Sequence, residues 1–257
     1  MESSSEVLST KNQSVLELVI NRPERKNALN LAMYTELAAQ LQEAGKDSTV
    51  RVVLITGAGG CFTSGNDLED FARGADMDVE TSPITRFMTT LLDFPKPVIV
   101  AVDGLAIGIG TTLLLHCDLV YASPASQFRM PFVHLGLCPE FASSFILPRM
   151  AGHLKASEWL LLGNAFSAAE AERASIVNQV VDDPLSSARA SAAQLVAMAP
   201  AAVRATKALL RAPFQRQMQN TLQAEFSVFS EHLRGPEFAE AAAAFFAKRA
   251  PDFSRFE

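Results

Sequence analysis

The amino-acid sequence predicts an α/β fold around a largely parallel sheet. Three observations carry that expectation. Short apolar runs alternate with helix-period stretches through much of the chain. The runs RVVLITG (51–57) and PVIVAVDG (97–104) lack polar alternation, so both faces should be covered. The final third has almost no strand signal and reads as a helical appendage.

The elements follow in order. SVLELVI (14–20) partly alternates, as a half-buried strand does, and NRPERKN (21–27) is turn-like. Residues 29–45 place Leu31, Met33, Leu37 and Leu41 at helical spacing. After the strand at 51–57, GAGGCFTSGNDLED is a glycine-rich loop leading to a helix. A helix is expected over 82–93, the strand opened by Pro97 comes next, and a helix is clearest over 111–117. DLVYAS (118–123) is a third buried strand, and FRMPFVHLGLCPE (128–140) is irregular. Pro139 is expected at the first position of a helix, where its missing N–H costs nothing. Helices at 156–163 and 167–174 precede a short strand, VNQVV, and then long helical stretches at 184–211 and 216–248. The Ala/Phe face of EFAEAAAAFFAKRA (237–250) needs a partner surface, either another subunit or the chain's own core.

The 257 residues carry a formal net charge of −6. That balance argues against nucleic acid and anionic membrane surfaces as partners. Cys61, Cys117 and Cys138 form neither a disulfide framework nor a zinc pattern, so a reducing compartment is expected. MESSSE lacks the character of a secretory signal, no apolar run could span a bilayer, and SRFE is not a peroxisomal address. A cytoplasmic protein is expected.

Two glycine loops invite comparison with dinucleotide sites. VVLITGAGG would suit a short-chain dehydrogenase, but Tyr34 and Tyr121 are followed four residues later by Ala38 and Ala125, not lysine. GIGTTL (108–113) lacks the third glycine of the Rossmann pattern. These loops are either tight turns or donors of backbone N–H groups to one oxygen, an oxyanion hole.

Several ordered motifs resemble the crotonase, or enoyl-CoA hydratase/isomerase, superfamily. They are NRPERKNALN (21–30), SGNDL (64–68), AVDGLAIGIGTTLLLHCDLVYAS (101–123), the segment at 128–140 and AFFAKRAPDF (244–253). The resemblance implies the crotonase (ClpP-like) fold, a spiral of ββα units in two sheets. It implies a core over 1–195 and a C-terminal helical region over 196–257 that completes a homotrimer, often paired into hexamers. It implies an acyl-CoA thioester substrate, with the backbone N–H groups of Asn66 and Ile109 as the oxyanion hole. Ser64, Gly65, Asp67, Leu68, Gly108, Gly110 and Phe132 would contact substrate, and Arg25, Lys26 and Lys248 would meet CoA phosphates. Coenzyme A is then part of the substrate, and no metal or redox cofactor is expected.

Glu140 is the candidate for chemistry. Locally it reads as a helix-start acid, stabilised by the dipole. The resemblance turns that reading. Hydratases of the superfamily carry two glutamates, at places where this chain has Thr112 and Phe132, and adding water needs such an acid–base pair. The CPE pattern at 138–140 is similar to Δ3,Δ2-enoyl-CoA isomerases, in which one glutamate moves a proton from C2 to C4. His134 reads as a structural residue that could line the pocket. Ser143 and Ser144 lack the G-x-S-x-G elbow of a serine hydrolase. Another crotonase-type reaction, or a non-catalytic acyl-CoA-binding module, is the alternative.

Overall fold

The computed structural model describes residues 5–73 and 81–256. Its main sheet has six strands in the order β1-β2-β3-β4-β6-β9. They are β1 (Val7–Asn12), β2 (Val15–Ile20), β3 (Val52–Gly57), β4 (Val98–Val102), β6 (Leu119–Ala122) and β9 (Gln179–Val180). The β1–β2 hairpin is antiparallel and every later pairing in this sheet is parallel. A second sheet joins β5 (Leu105–Ile107), β7 (Gln127–Arg129) and β8 (Phe166–Ser167).

The continuous apolar strands do what their composition demands. On β3 and β4, Val53, Ile55, Val98, Val100 and Val102 enter the main core. The alternate residues Val52, Leu54, Ile99 and Ala101 meet Ala188 and Ala192 of α8 (Pro184–Ala197) on the other face. Helices α1 (Leu31–Lys46) and α3 (Pro83–Leu92) cover the first face. Asn30 caps α1, its side chain accepting Met33 N–H at 2.8 Å, and Ser82 caps α3 before Pro83.

Some expectations shift. The helix expected over 111–117 is α4 (Ile109–Thr112) followed by a 3-10 turn, Leu113–His116. The long C-terminal stretches break where proline cannot extend a helix, giving α9 (Pro200–Arg211), α10 (Gln215–Leu233) and α11 (Pro236–Phe246). Between sheet and appendage lie α6 (His153–Leu161) and α7 (Ala168–Arg173). Pro139 does not open a helix. The next helix, α5 (Ser143–Met150), begins four residues later, because Phe141 and Ala142 are left-handed at φ 57° and 55°. Among the described residues no helix is long and apolar enough to cross a membrane.

Candidate active site

Two loops are zipped together beside the sheet. Thr63 N–H donates to Leu105 O at 2.8 Å, and Ile107 N–H donates to Thr63 O at 3.1 Å. The first loop is also tied to the segment entering α1, through Leu29 N–H to Gly65 O and Asp67 N–H to Leu29 O, both 2.8 Å. The buried Asn27 braces it from behind, donating to Ala58 O at 2.8 Å and Cys61 O at 2.5 Å. Gly65 must be glycine: its φ is +91°, and a Cβ there would stand 2.7 Å from Ile107 O. Gly110 packs equally closely, its absent Cβ falling 2.5 Å from Thr63 Cγ2. Among the described residues, no acceptor takes the N–H of Asn66 or Ile109. Ile109 opens α4, where such a donor is orphaned by construction.

These loops line a cleft of about 600 Å³. Ser64, Gly65, Asn66, Asp67, Leu68, Gly108, Ile109, Phe132, Arg25, Lys26 and His134 all border it. Gly110 lies behind the wall, and the exposed Lys248 is outside the cleft, although Phe245 and Phe246 of α11 reach it. Asp67 is held by Arg22 at 2.6 Å. Arg25 sits 3.9 Å from Glu69 in an exposed pair, and His134 Nε2 meets Leu162 O at 2.8 Å.

Glu140 faces a second, smaller pocket of about 40 Å³ with Leu31, Met88, Phe226 and Leu233. Phe71 of α2 (Leu68–Arg73) and Phe229 of α10 line both spaces, their rings edge to face at 5.9 Å. Asp70 also borders the small pocket, accepting Leu31 N–H at 3.3 Å. Glu140 is 3% exposed. Burial pushes its carboxyl up to about 8; the Thr112 hydroxyl, donating at 3.1 Å, opposes that rise, and Glu225 adds to it. Thr112, at the place of one hydratase glutamate, is thus in direct contact with Glu140. Phe132, at the other, forms part of the cleft wall.

Tyr34 had drawn no functional reading from sequence. Its hydroxyl donates to Asn66 Oδ1, fixing the side chain beside a free amide. Burial, reinforced by Glu140, holds the phenol well above its ordinary value of 10, so it stays a donor. Its helical spacing beside Met33 and Leu37 gave no sign of this, because the partner is 32 residues away.

Residues 10–255 match the enoyl-CoA hydratase/isomerase family. The chain belongs to that family. Its fold is accordingly the crotonase fold. It is 36% identical to the 1,2-epoxyphenylacetyl-CoA isomerase of Escherichia coli K12, across 96% of this chain and 98% of that protein. Identity to enoyl-CoA delta isomerase 2 of Rattus norvegicus is 39%, across 70% of this chain but only 47% of that longer protein. The solved structure of Pseudomonas aeruginosa OdaA superposes with a TM-score of 0.92 at 48% identity, covering 94% of this chain and 99% of that one. This enoyl-CoA hydratase/isomerase family member thus carries two unpaired backbone donors at one cleft and a buried carboxyl of raised basicity at the adjoining pocket.

Proposed function

We propose that the chain is a Δ3,Δ2-enoyl-CoA isomerase of fatty-acid β-oxidation, converting a 3-enoyl-CoA to the 2-trans-enoyl-CoA. One observation carries the reading: a hydroxyl, Thr112, and not a second carboxyl touches the Glu140 carboxyl. Such a site suits moving one proton better than activating water. The thioester oxygen rests on the N–H groups of Asn66 and Ile109. Glu140 takes a proton from C2, and the freed electron pair spreads onto that oxygen as a dienolate. The same carboxyl returns the proton to C4, so the double bond moves from C3–C4 to C2–C3. Ser64, Gly65, Asp67, Leu68, Gly108, Gly110 and Phe132 shape the surroundings. Arg25 and Lys26 meet CoA phosphates, as does Lys248 on a neighbour's CoA in a cytoplasmic homotrimer or pair of trimers. Beyond the coenzyme A carried by the substrate, the reaction uses no cofactor.

The test is a panel of 3-enoyl-CoA thioesters against wild type and Glu140→Gln. Conversion should vanish in the variant while acyl-CoA binding survives, and near-normal turnover by Glu140→Gln refutes the mechanism. A second reading is the isomerisation named for the E. coli relative, which matches nearly the whole chain. Turnover of a phenylacetyl-CoA epoxide in place of every 3-enoyl-CoA would favour it.

A further inference from the structure

The acid at the start of α5 is not its sequence neighbour Glu140. It is Glu225, which arrives from α10. Its Oε2 accepts Ala142 N–H at 2.6 Å, and its Oε1 accepts Ser144 N–H at 3.0 Å and the Ser144 hydroxyl at 2.5 Å. These contacts close on Phe141 and Ala142, two successive non-glycine residues in the left-handed region. Each such residue costs on the order of 1 kcal/mol or more, and it persists only where its surroundings impose it. His116 holds the other side of the turn. Its ring stacks on Phe141 at 3.9 Å, and its Nε2 lies 2.7 Å from Phe141 O. Burial drives that imidazole down to about 3, so it is neutral and Nε2–H is the donor. The Ser143 hydroxyl then donates to Glu140 O at 2.6 Å.

We propose that Glu225 is a positioning residue for Glu140: from α10 it clamps the left-handed turn that aims the Glu140 carboxyl into the apolar pocket. The proposal rests on the reading of Glu140 as the base. It also has an electrostatic side. Three donors converge on the Glu225 carboxylate, whereas Glu140 has one, Thr112. Burial raises Glu225 too, but those donors oppose the rise. The first negative charge of the pair therefore settles on Glu225 and the proton stays on Glu140. The other titratable groups around Glu140 are Tyr34 of α1, Asp70 of α2, Cys138 of its own segment and the neutral His116 behind Phe141. Burial keeps the Cys138 thiol up at about 11 and the Tyr34 phenol above its ordinary value, so both are uncharged.

The experiment compares wild type, Glu225→Gln and Glu140→Gln. Carbon-13 NMR of labelled glutamate carboxyls follows the titration, and Glu140→Gln assigns the Glu140 signal. Turnover of 3-enoyl-CoA and the Kd of a non-reacting acyl-CoA are measured alongside. Glu225→Gln presents an amide NH2 to a nest of donors, so the clamp loosens. Expected are a kcat roughly 10- to 100-fold lower, a Kd changed by less than about twofold, and a Glu140 titration moved down from about 8 by roughly one pH unit. Wild-type kcat and an unmoved Glu140 titration would overturn the proposal and leave the isomerase reading intact. If wild type converts no 3-enoyl-CoA, the isomerase reading fails, yet the titration still decides the role of Glu225. Should Glu225→Gln not fold, Ser144→Ala removes one tie of the clamp; a kcat lowered severalfold at an unchanged Kd supports the proposal, and a wild-type kcat refutes it.

Discussion

Replacing Glu140 by glutamine should shift stability in the variant's favour as pH rises. The carboxyl titrates near 8 when folded, against an ordinary 4.5. Between those values the folded chain holds a proton that the unfolded chain has released. Stability therefore is fully present below about pH 4.5 and is lost as pH climbs towards 8. At 1.36 kcal/mol for each pH unit between the two values, wild type gives up roughly 3 kcal/mol by pH 7 and roughly 5 above pH 9. Glutamine has no such titration. Its NH2 in an apolar pocket costs about 1–3 kcal/mol, but that cost is independent of pH. The stability difference, variant minus wild type, should thus grow by roughly 3.5 kcal/mol from pH 5 to pH 8. Urea unfolding of both proteins at equal concentration across that range measures it. A difference that stays flat with pH would refute the placement of Glu140 as a buried, proton-retaining acid.

Three further outcomes can be checked. The kcat/KM for 3-enoyl-CoA should rise with pH and level off above about 8, since the Glu140 carboxylate is the active form; a plateau already reached at pH 6 contradicts that role. Thr112→Val removes the hydroxyl that holds the Glu140 carboxyl down, so the rising limb should move to higher pH while urea stability changes by about 1 kcal/mol. Gly65→Ala drives a Cβ to within 2.7 Å of Ile107 O at a φ of +91°; it should cost roughly 1–3 kcal/mol in urea unfolding and weaken acyl-CoA binding measured by calorimetry.

The sheet was legible because burial on both faces leaves an unmistakable mark: VVLITG and VIVAV admit no polar alternation, and both are buried strands. β5 and β8, of three and two residues, are too short to have a period and were not expected. The meeting of the two glycine loops could be suspected, since Gly65 and Gly108 mark backbone conformations that a side chain would strain. The start of α5 could not. Proline followed by glutamate is good helix-opening chemistry, yet the capping carboxylate is that of Glu225, 81 residues beyond the Ser144 N–H it accepts. A local rule lost there to a tertiary contact. The same holds for Tyr34, whose hydroxyl partner is set by the fold and not by the helix that carries it. The aromatic partition of Phe71 and Phe229, drawn from α2 and α10, has no trace in sequence spacing.

Thr63 gives the two loops a common hinge pin. Its N–H binds Leu105 O, its carbonyl holds Ile107 N–H, and its hydroxyl accepts Gly65 N–H at 3.0 Å while donating to Asn27 O at 2.7 Å. Any thermal excursion that spreads the Asn66 and Ile109 amides apart must break several of these bonds at once. The cleft beyond them is walled by side chains, among them Phe71 of α2, Phe229 of α10 and Phe245 and Phe246 of α11. The spacing of the two amides is thus set by backbone and by one threonine, so exchanging a side chain elsewhere in the cleft wall would reshape the cleft without moving them.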